Sequence, residues 1–248
     1  MNLLIKKIGF LSLSLLIVFG LLRISVEVTQ EVGRKNLYCE DGEFFTLDKE
    51  VWETSNEFGK TGDLIIVDLN KRLLNFYRNE EIFKKYTVAI GKNTTPSPVG
   101  EWKIIHKGGN WGGGFGARWL GLNVPWGIYG IHGTDKPNSI GYMSSHGCIR
   151  LHNRNVSELY NLVKMGTPVH IVGDLPKVAL RKEFKLKNSG KDVLLLQFAL
   201  RKAGYDPGPA DARFGPGVEL AVKKLQNFYG LSQSGKAGLN EQYLLGLR

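Results

Sequence analysis

Between Thr61 and Val172 the apolar residues fall in short runs, several of them alternating with polar residues, and turn formers cut each run off. A period of two with frequent punctuation suits strands whose two faces meet different surroundings, and excludes long amphipathic helices. Strands are expected over Asp63–Leu69, Leu73–Arg78, Phe83–Ile90, Glu101–Lys107, Arg118–Asn123 and Ile128–His132, with Asn70 at the first hairpin turn. Pro96 and Pro98 argue against a central strand between the third and fourth of these. The run from Gly108 to Gly116 is a glycine-rich loop carrying Trp111 and Phe115, either a lid over a substrate or a plain surface loop. One helix is expected, Arg154–Met165. Asn153 or Asn155 can cap it, Glu158 stands three residues after Asn155, and Val156, Leu159, Tyr160 and Val163 share one face. Gly166 and Pro168 stop that helix, and Pro168–Val172 closes the domain as a last strand.

Inside this domain the stretch Ile131–His152 gathers His132, His146 and His152 around Cys148, with Gly147 directly before the sulfur and Arg150 just after. Such a cluster can be a nucleophile or a metal site. A cysteine attacks carbonyls as the thiolate, so it needs a base or a cation to act against a free pKa of about 8.5. His132 and His146 are the candidate bases. Gly147 allows a tight turn that can aim backbone amides at a developing oxyanion. A structural zinc held by His132, His146, Cys148 and His152 is the rival reading, although the paired Cys-x2-Cys spacing usual for such sites is missing. His106 and His170 fall on expected strands away from the cluster. Trp119, Trp126 and Tyr142 can line a cleft or pack in the core.

The chain has 248 residues, enough for one or two domains. Its 33 basic and 23 acidic side chains give a formal charge of +10, which favours an anionic partner. From Pro176 to Arg248 there are 13 basic and 6 acidic residues, so the excess is concentrated there. No zinc-finger spacing, RNP aromatic motif or helix-turn-helix accompanies that charge, which argues against nucleic acid. Cys39 and Cys148 are expected to remain unpaired, since a disulfide would block the chemistry of the histidine-rich turn.

At the N-terminus Lys6 and Lys7 precede the uncharged run Ile8–Leu22, which ends at Arg23. This reads as an export signal, either an uncleaved single-pass anchor with the lysines toward the cytoplasm, which the lack of a small-x-small cleavage site favours, or a cleaved signal peptide. Residues 24–60 read as a stalk or linker.

Taken together, Ser97-Pro98-Val99-Gly100, Ile131-His132-Gly133-Thr134, Ser145-His146-Gly147-Cys148-Ile149-Arg150 and the helix-Gly-Thr-Pro-Val run that follows resemble the catalytic domain of L,D-transpeptidases over about residues 61–173. The resemblance implies a mainly β, sandwich-like fold with one short helix after the active-site turn, and a cysteine nucleophile acting on peptidoglycan stem peptides without a cofactor. Carried onto this chain, it makes Cys148 the nucleophile and His132 the base, with His146 assisting. Gly147 and Cys148 would supply oxyanion amides, Gly133 could orient His132 only through its carbonyl, Arg150 either holds a substrate carboxylate or braces the site, and Trp119 and Tyr142 are further candidate substrate contacts. After a linker over 174–190, residues 191–248 form three helices, with stripes Val193, Leu196, Leu200, Ala203 and Val218, Ala221, Val222, Leu225, Phe228, and a shorter helix Glu241–Leu247. Gly190-Lys191-Asp192-Val193, Leu196-Gln197, Gly204-Tyr205, Phe214-Gly215-Pro216 and Leu225-Gln226 are similar to the peptidoglycan-binding domain often joined to wall enzymes, with Ala212 where that family usually has glycine. The resemblance places the chain outside the cytoplasmic membrane, in contact with glycan and stem peptides, and it is taken as a monomer. A carboxypeptidase and a non-catalytic wall-binding protein are the remaining alternatives.

Overall fold

The computed structural model describes residues 62–109 and 112–248. The expected anchor and stalk, Cys39 and Trp111 lie outside these residues. Among the described residues there are ten strands: β1 (Asp63–Asp68), β2 (Leu73–Arg78), β3 (Glu81–Thr87), β4 (Ile90–Gly91), β5 (Gly100–Gly109), β6 (Arg118–Leu122), β7 (Tyr129–His132), β8 (Met143–Ser145), β9 (Ile149–Arg150) and β10 (Pro168–Val172). Eight of them form one mixed sheet in the order β3-β2-β1-β10-β5-β6-β7-β9, and β4 pairs with β8 in a separate ribbon. The sandwich-like expectation resolves into a single curled sheet. β5 makes the curl: its first half, Gly100–Lys103, pairs with β10, and from Ile104 onward it pairs with β6, with a register shift between Ile104 and His106. Ala89, just beyond edge strand β3, then exchanges two backbone hydrogen bonds of 2.9 Å with Arg150 of the other edge strand, β9. The curl therefore brings both edges together and leaves fewer unpaired backbone groups for stray pairing.

Alternation sets what faces inward. Ile65 and Val67, Leu74 and Phe76, Ile131, Ile149, Val169 and Ile171 are all buried in one core. Each such side chain contributes roughly 1.5–3 kcal/mol on burial. The helix α1 (Asn153–Leu162) lays Val156 and Leu159 on that core beside β6 and β7. It ends before the expected Met165 because Val163 turns extended, at ψ 158°. Lys107 Nζ of β5 then takes the carbonyls of Tyr160 and Val163, each at 2.7 Å, closing the helix end from across the sheet. Among the described residues no helix is long and apolar enough to cross a membrane.

The C-terminal part has helices α2 (Lys191–Lys202), α3 (Pro216–Phe228) and α4 (Leu239–Leu244). Val193, Leu196, Leu200, Val218, Ala221, Val222 and Leu225 form its core as their spacing predicts. Two stripe residues differ. Ala203 ends α2 and is exposed, and Phe228, at the end of α3, is 65 % exposed. The stretch expected as a linker is itself structural, since Phe184 is fully buried in this core and pairs with Ala237 across an isolated bridge. Ala212 takes the left-handed conformation that its glycine-like position demands, at φ 60°.

Candidate active site

The site is a property of register. In the parallel pairing of β7 with β9, Ile131 lies opposite Ile149 and His132 opposite Arg150, and in the antiparallel pairing of β6 with β7, Trp119 lies opposite His132. Successive residues point to opposite faces, so with Ile131 and Ile149 in the core, His132, Cys148 and Arg150 share the other face. Trp119, His132 and Arg150 thus form one row across three strands. Cys148 is one residue before β9, level with Gly130.

The His132 imidazole is enclosed, 2 % exposed. Trp119 stacks on it with ring centroids 5.5 Å apart, and Phe115 packs on it at 5.3 Å. Its Nδ1 lies 2.5 Å from the Gly133 carbonyl, and the Phe115 carbonyl also faces the ring. A carbonyl at Nδ1 holds the proton there and leaves Nε2 as the basic nitrogen. Burial drives the imidazole pKa down to about 4, the Gly133 carbonyl opposes that, and the Arg150 guanidinium adds to it. Cys148 is a free, half-buried thiol pushed above its ordinary value by burial, while a backbone hydrogen bond from Gly130 and the charge of Arg150 pull it down. At neutral pH the resting pair is accordingly thiol and neutral imidazole.

The cysteine turn is tied by Ser145, which is fully buried. Its Oγ donates to the Cys148 carbonyl at 2.6 Å and accepts the Gly147 amide at 3.0 Å. The Gly147 amide expected to face an oxyanion therefore points into the turn. Gly147 has φ 114°, and a Cβ there would stand 2.6 Å from the Tyr129 ring, so the position admits only glycine.

The other expected site residues are distributed as follows. His146 is exposed at the rim of the turn. Tyr142 is also at the surface, 67 % exposed. Trp119 is 3 % exposed, so its contact is with His132 and with the backbone of Gly130, where a Cβ would meet the indole at 2.7 Å. Arg150 is half-buried, and its Nε is buried without a hydrogen-bond partner among the described residues. His152 precedes α1 and is exposed. Among the described residues no group of three or more His, Cys, Asp or Glu side chains converges as metal ligands would.

One residue with a part in the site carries only a helix-capping signal in the sequence. Asn153 Oδ1 accepts the Ala117 amide at 2.9 Å and fills the notch left by the missing side chains of Gly116 and Gly133. It thereby joins the Phe115 loop to the end of β7, the two segments whose carbonyls face His132. Nothing in local sequence signals this contact, because the partners are 36 residues apart.

Residues 62–171 match the family described as YkuD, the L,D-transpeptidase catalytic domain, and residues 189–243 match a peptidoglycan binding domain. A protein named as the L,D-transpeptidase YkuD of Bacillus licheniformis is 49 % identical over 107 residues, which are 43 % of this chain and 64 % of that one. The chain thus spans a little under two thirds of that relative's length. YqjB of Bacillus subtilis, also named as an L,D-transpeptidase, is 30 % identical over 145 residues, 52 % of this chain and 82 % of that one. Among solved structures, the catalytic domain of the Enterococcus faecium L,D-transpeptidase aligns over 47 % of this chain and 99 % of its own length, with 26 % identity and a TM-score of 0.41.

Proposed function

We infer the chemistry of this chain from its kinship: it belongs to the L,D-transpeptidase family, and its site suits a cysteine acyl transfer with His132 as the base. In the proposed reaction the substrate is a tetrapeptide stem of peptidoglycan. Cys148 Sγ attacks the carbonyl carbon between the L-centre of the diamino acid and the terminal D-Ala, as Nε2 of His132 takes the thiol proton. The C–N bond breaks, the proton passes from His132 to the departing D-Ala amine, and a thioester remains on Cys148. An amine of a neighbouring stem attacks the thioester, giving a 3-3 cross-link and returning the thiol. Water in place of the amine gives carboxypeptidase activity.

The observation that carries this reading is the shared face of Cys148 and His132 on adjacent parallel segments, with Nδ1 held by the Gly133 carbonyl. With the Gly147 amide committed to Ser145, the Cys148 amide is the proposed oxyanion donor, each such donor being worth about 3 kcal/mol. Arg150, whose guanidinium charge acts on both His132 and Cys148, is proposed to hold the D-Ala carboxylate. His146 and Tyr142, both exposed, would meet substrate at the rim. The match of residues 189–243 supports peptidoglycan as the partner of the helical module. We further place the chain on the outer face of a cytoplasmic membrane, from Lys6, Lys7 and the apolar run after them; protease accessibility on intact cells would check this.

The full chain incubated with disaccharide-tetrapeptides should release D-Ala and form dimers, followed by mass spectrometry. The mechanism is wrong if Cys148→Ala keeps full activity.

A further inference from the structure

The joint between the β domain and the helical module is built like an interior. Glu101, at the start of β5 and 3 % exposed, receives Arg201 of α2 through Nη1 to Oε1 at 2.7 Å and Nη2 to Oε2 at 3.2 Å. The same carboxylate accepts the Ala210 amide at 2.8 Å, and the Glu101 amide donates to the Ala210 carbonyl at 2.9 Å. Arg201 also donates to the Gly208 carbonyl at 2.8 Å, and Arg213 to the Asn123 carbonyl at 2.6 Å. Leu194, Phe198, Ala210 and Ala212 of the module belong to the same apolar core as the strands. A two-pronged Arg–carboxylate pair fixes direction as well as distance, while burial of the pair adds little net stability by itself.

The joint is also close to the cysteine turn. In the loop between β4 and β5, Thr95 Oγ1 donates to the Ser145 carbonyl at 3.2 Å. The Pro96 carbonyl lies against Gly147, and Gly100, at the end of the loop, lacks the side chain that would meet the Ala210 carbonyl. One short segment therefore contacts the turn at one end and the module at the other. A module docked in this way cannot swing on a tether, and whatever it binds stands at one fixed distance from Cys148.

We propose that the substrate of this chain is a stem carried on a polymeric strand, and that the C-terminal module holds that strand in a fixed register with Cys148. The proposal rests on the peptidoglycan reading above. A flexible tether would raise the local concentration of any nearby stem, whereas a docked module favours only those stems whose position on the bound strand matches the fixed span.

The test uses the full chain, as wild type and as Glu101→Gln with Arg201→Met, a pair that removes both charges together. Disaccharide-tetrapeptide and intact sacculi serve as substrates. D-Ala release, cosedimentation with sacculi and the interdomain distance between two spin labels are measured. In the variant the distance distribution should broaden, while cosedimentation and the rate on the soluble substrate stay as in wild type. Release from sacculi should fall about tenfold or more. A broadened variant that works on sacculi as fast as wild type overturns the proposal. If the double variant does not fold, Phe198→Ala, which thins the joint without stranding a charge, gives the same comparison. A wild type that releases D-Ala from neither substrate would instead sink the peptidoglycan reading itself.

Discussion

At Cys148 burial and charge oppose each other, and burial is the larger effect. Its alkylation by iodoacetamide should therefore rise with pH through a midpoint above the ordinary thiol value of about 8.5, and Arg150→Gln should move that midpoint higher still. A midpoint below neutrality would show a preformed thiolate. For His132 the folded pKa of about 4 lies below the value of about 6.5 expected in the unfolded chain. The unfolded state binds the proton first, so this contribution to stability is complete above about pH 6.5 and is lost as pH falls through about 4, on the order of 3 kcal/mol. Urea midpoints measured across that window should flatten in His132→Gln. Asn153 acts at one remove. Asn153→Ala should lower kcat roughly tenfold to a hundredfold with KM and melting temperature nearly unchanged, whereas Asn153→Asp, which keeps the acceptor but adds a negative charge, should shift the acidic limb of the pH profile upward. His132 and Cys148 are marked together in the sequence because both stand in one stretch of chain, and the structure pairs β7 with β9 so that His132 lies opposite Arg150. The staple by Asn153 is not legible in the sequence, because it depends on two glycines brought together only by the sheet.

Among the elements, the long strands were readable because alternation is a local property: β1, β2 and β6 lie where their patterns put them. The short ones were not. β4, β8 and β9 have two or three residues, and their strand character comes from neighbours such as Ile131 beside Ile149 and Ala89 beside Arg150. The end of α1 is also decided from outside, by the ammonium of Lys107 on another element. Lys107→Met removes two hydrogen bonds to helix-end carbonyls and a cation 4.2 Å from the Tyr160 ring. It should cost about 1–2 kcal/mol in denaturant unfolding, with hydrogen exchange accelerating first at the last turn of α1. A loss confined to distant amides would contradict that assignment.

For the whole molecule, the order of a β domain followed by a helical module was evident from the change in period near Gly173, but the way the two meet was not. In the sequence Glu101 only opens an expected strand, and Arg201 is one of 13 basic residues from Pro176 to Arg248. Only the fold makes them partners. Glu101→Ala alone leaves Arg201 buried without its counter-charge, and should destabilise the chain by roughly 3–5 kcal/mol, with the Glu101→Ala/Arg201→Met double variant recovering part of that loss in calorimetry. The joint also bears on portability. A chain cut after Gly173 would lose Leu194, Phe198, Ala210 and Ala212 from its own core, so a stand-alone catalytic fragment should be poorly soluble. In recombination terms the module is not a cassette: an exchanged domain would have to arrive with an arginine and an open backbone pair already matched to Glu101.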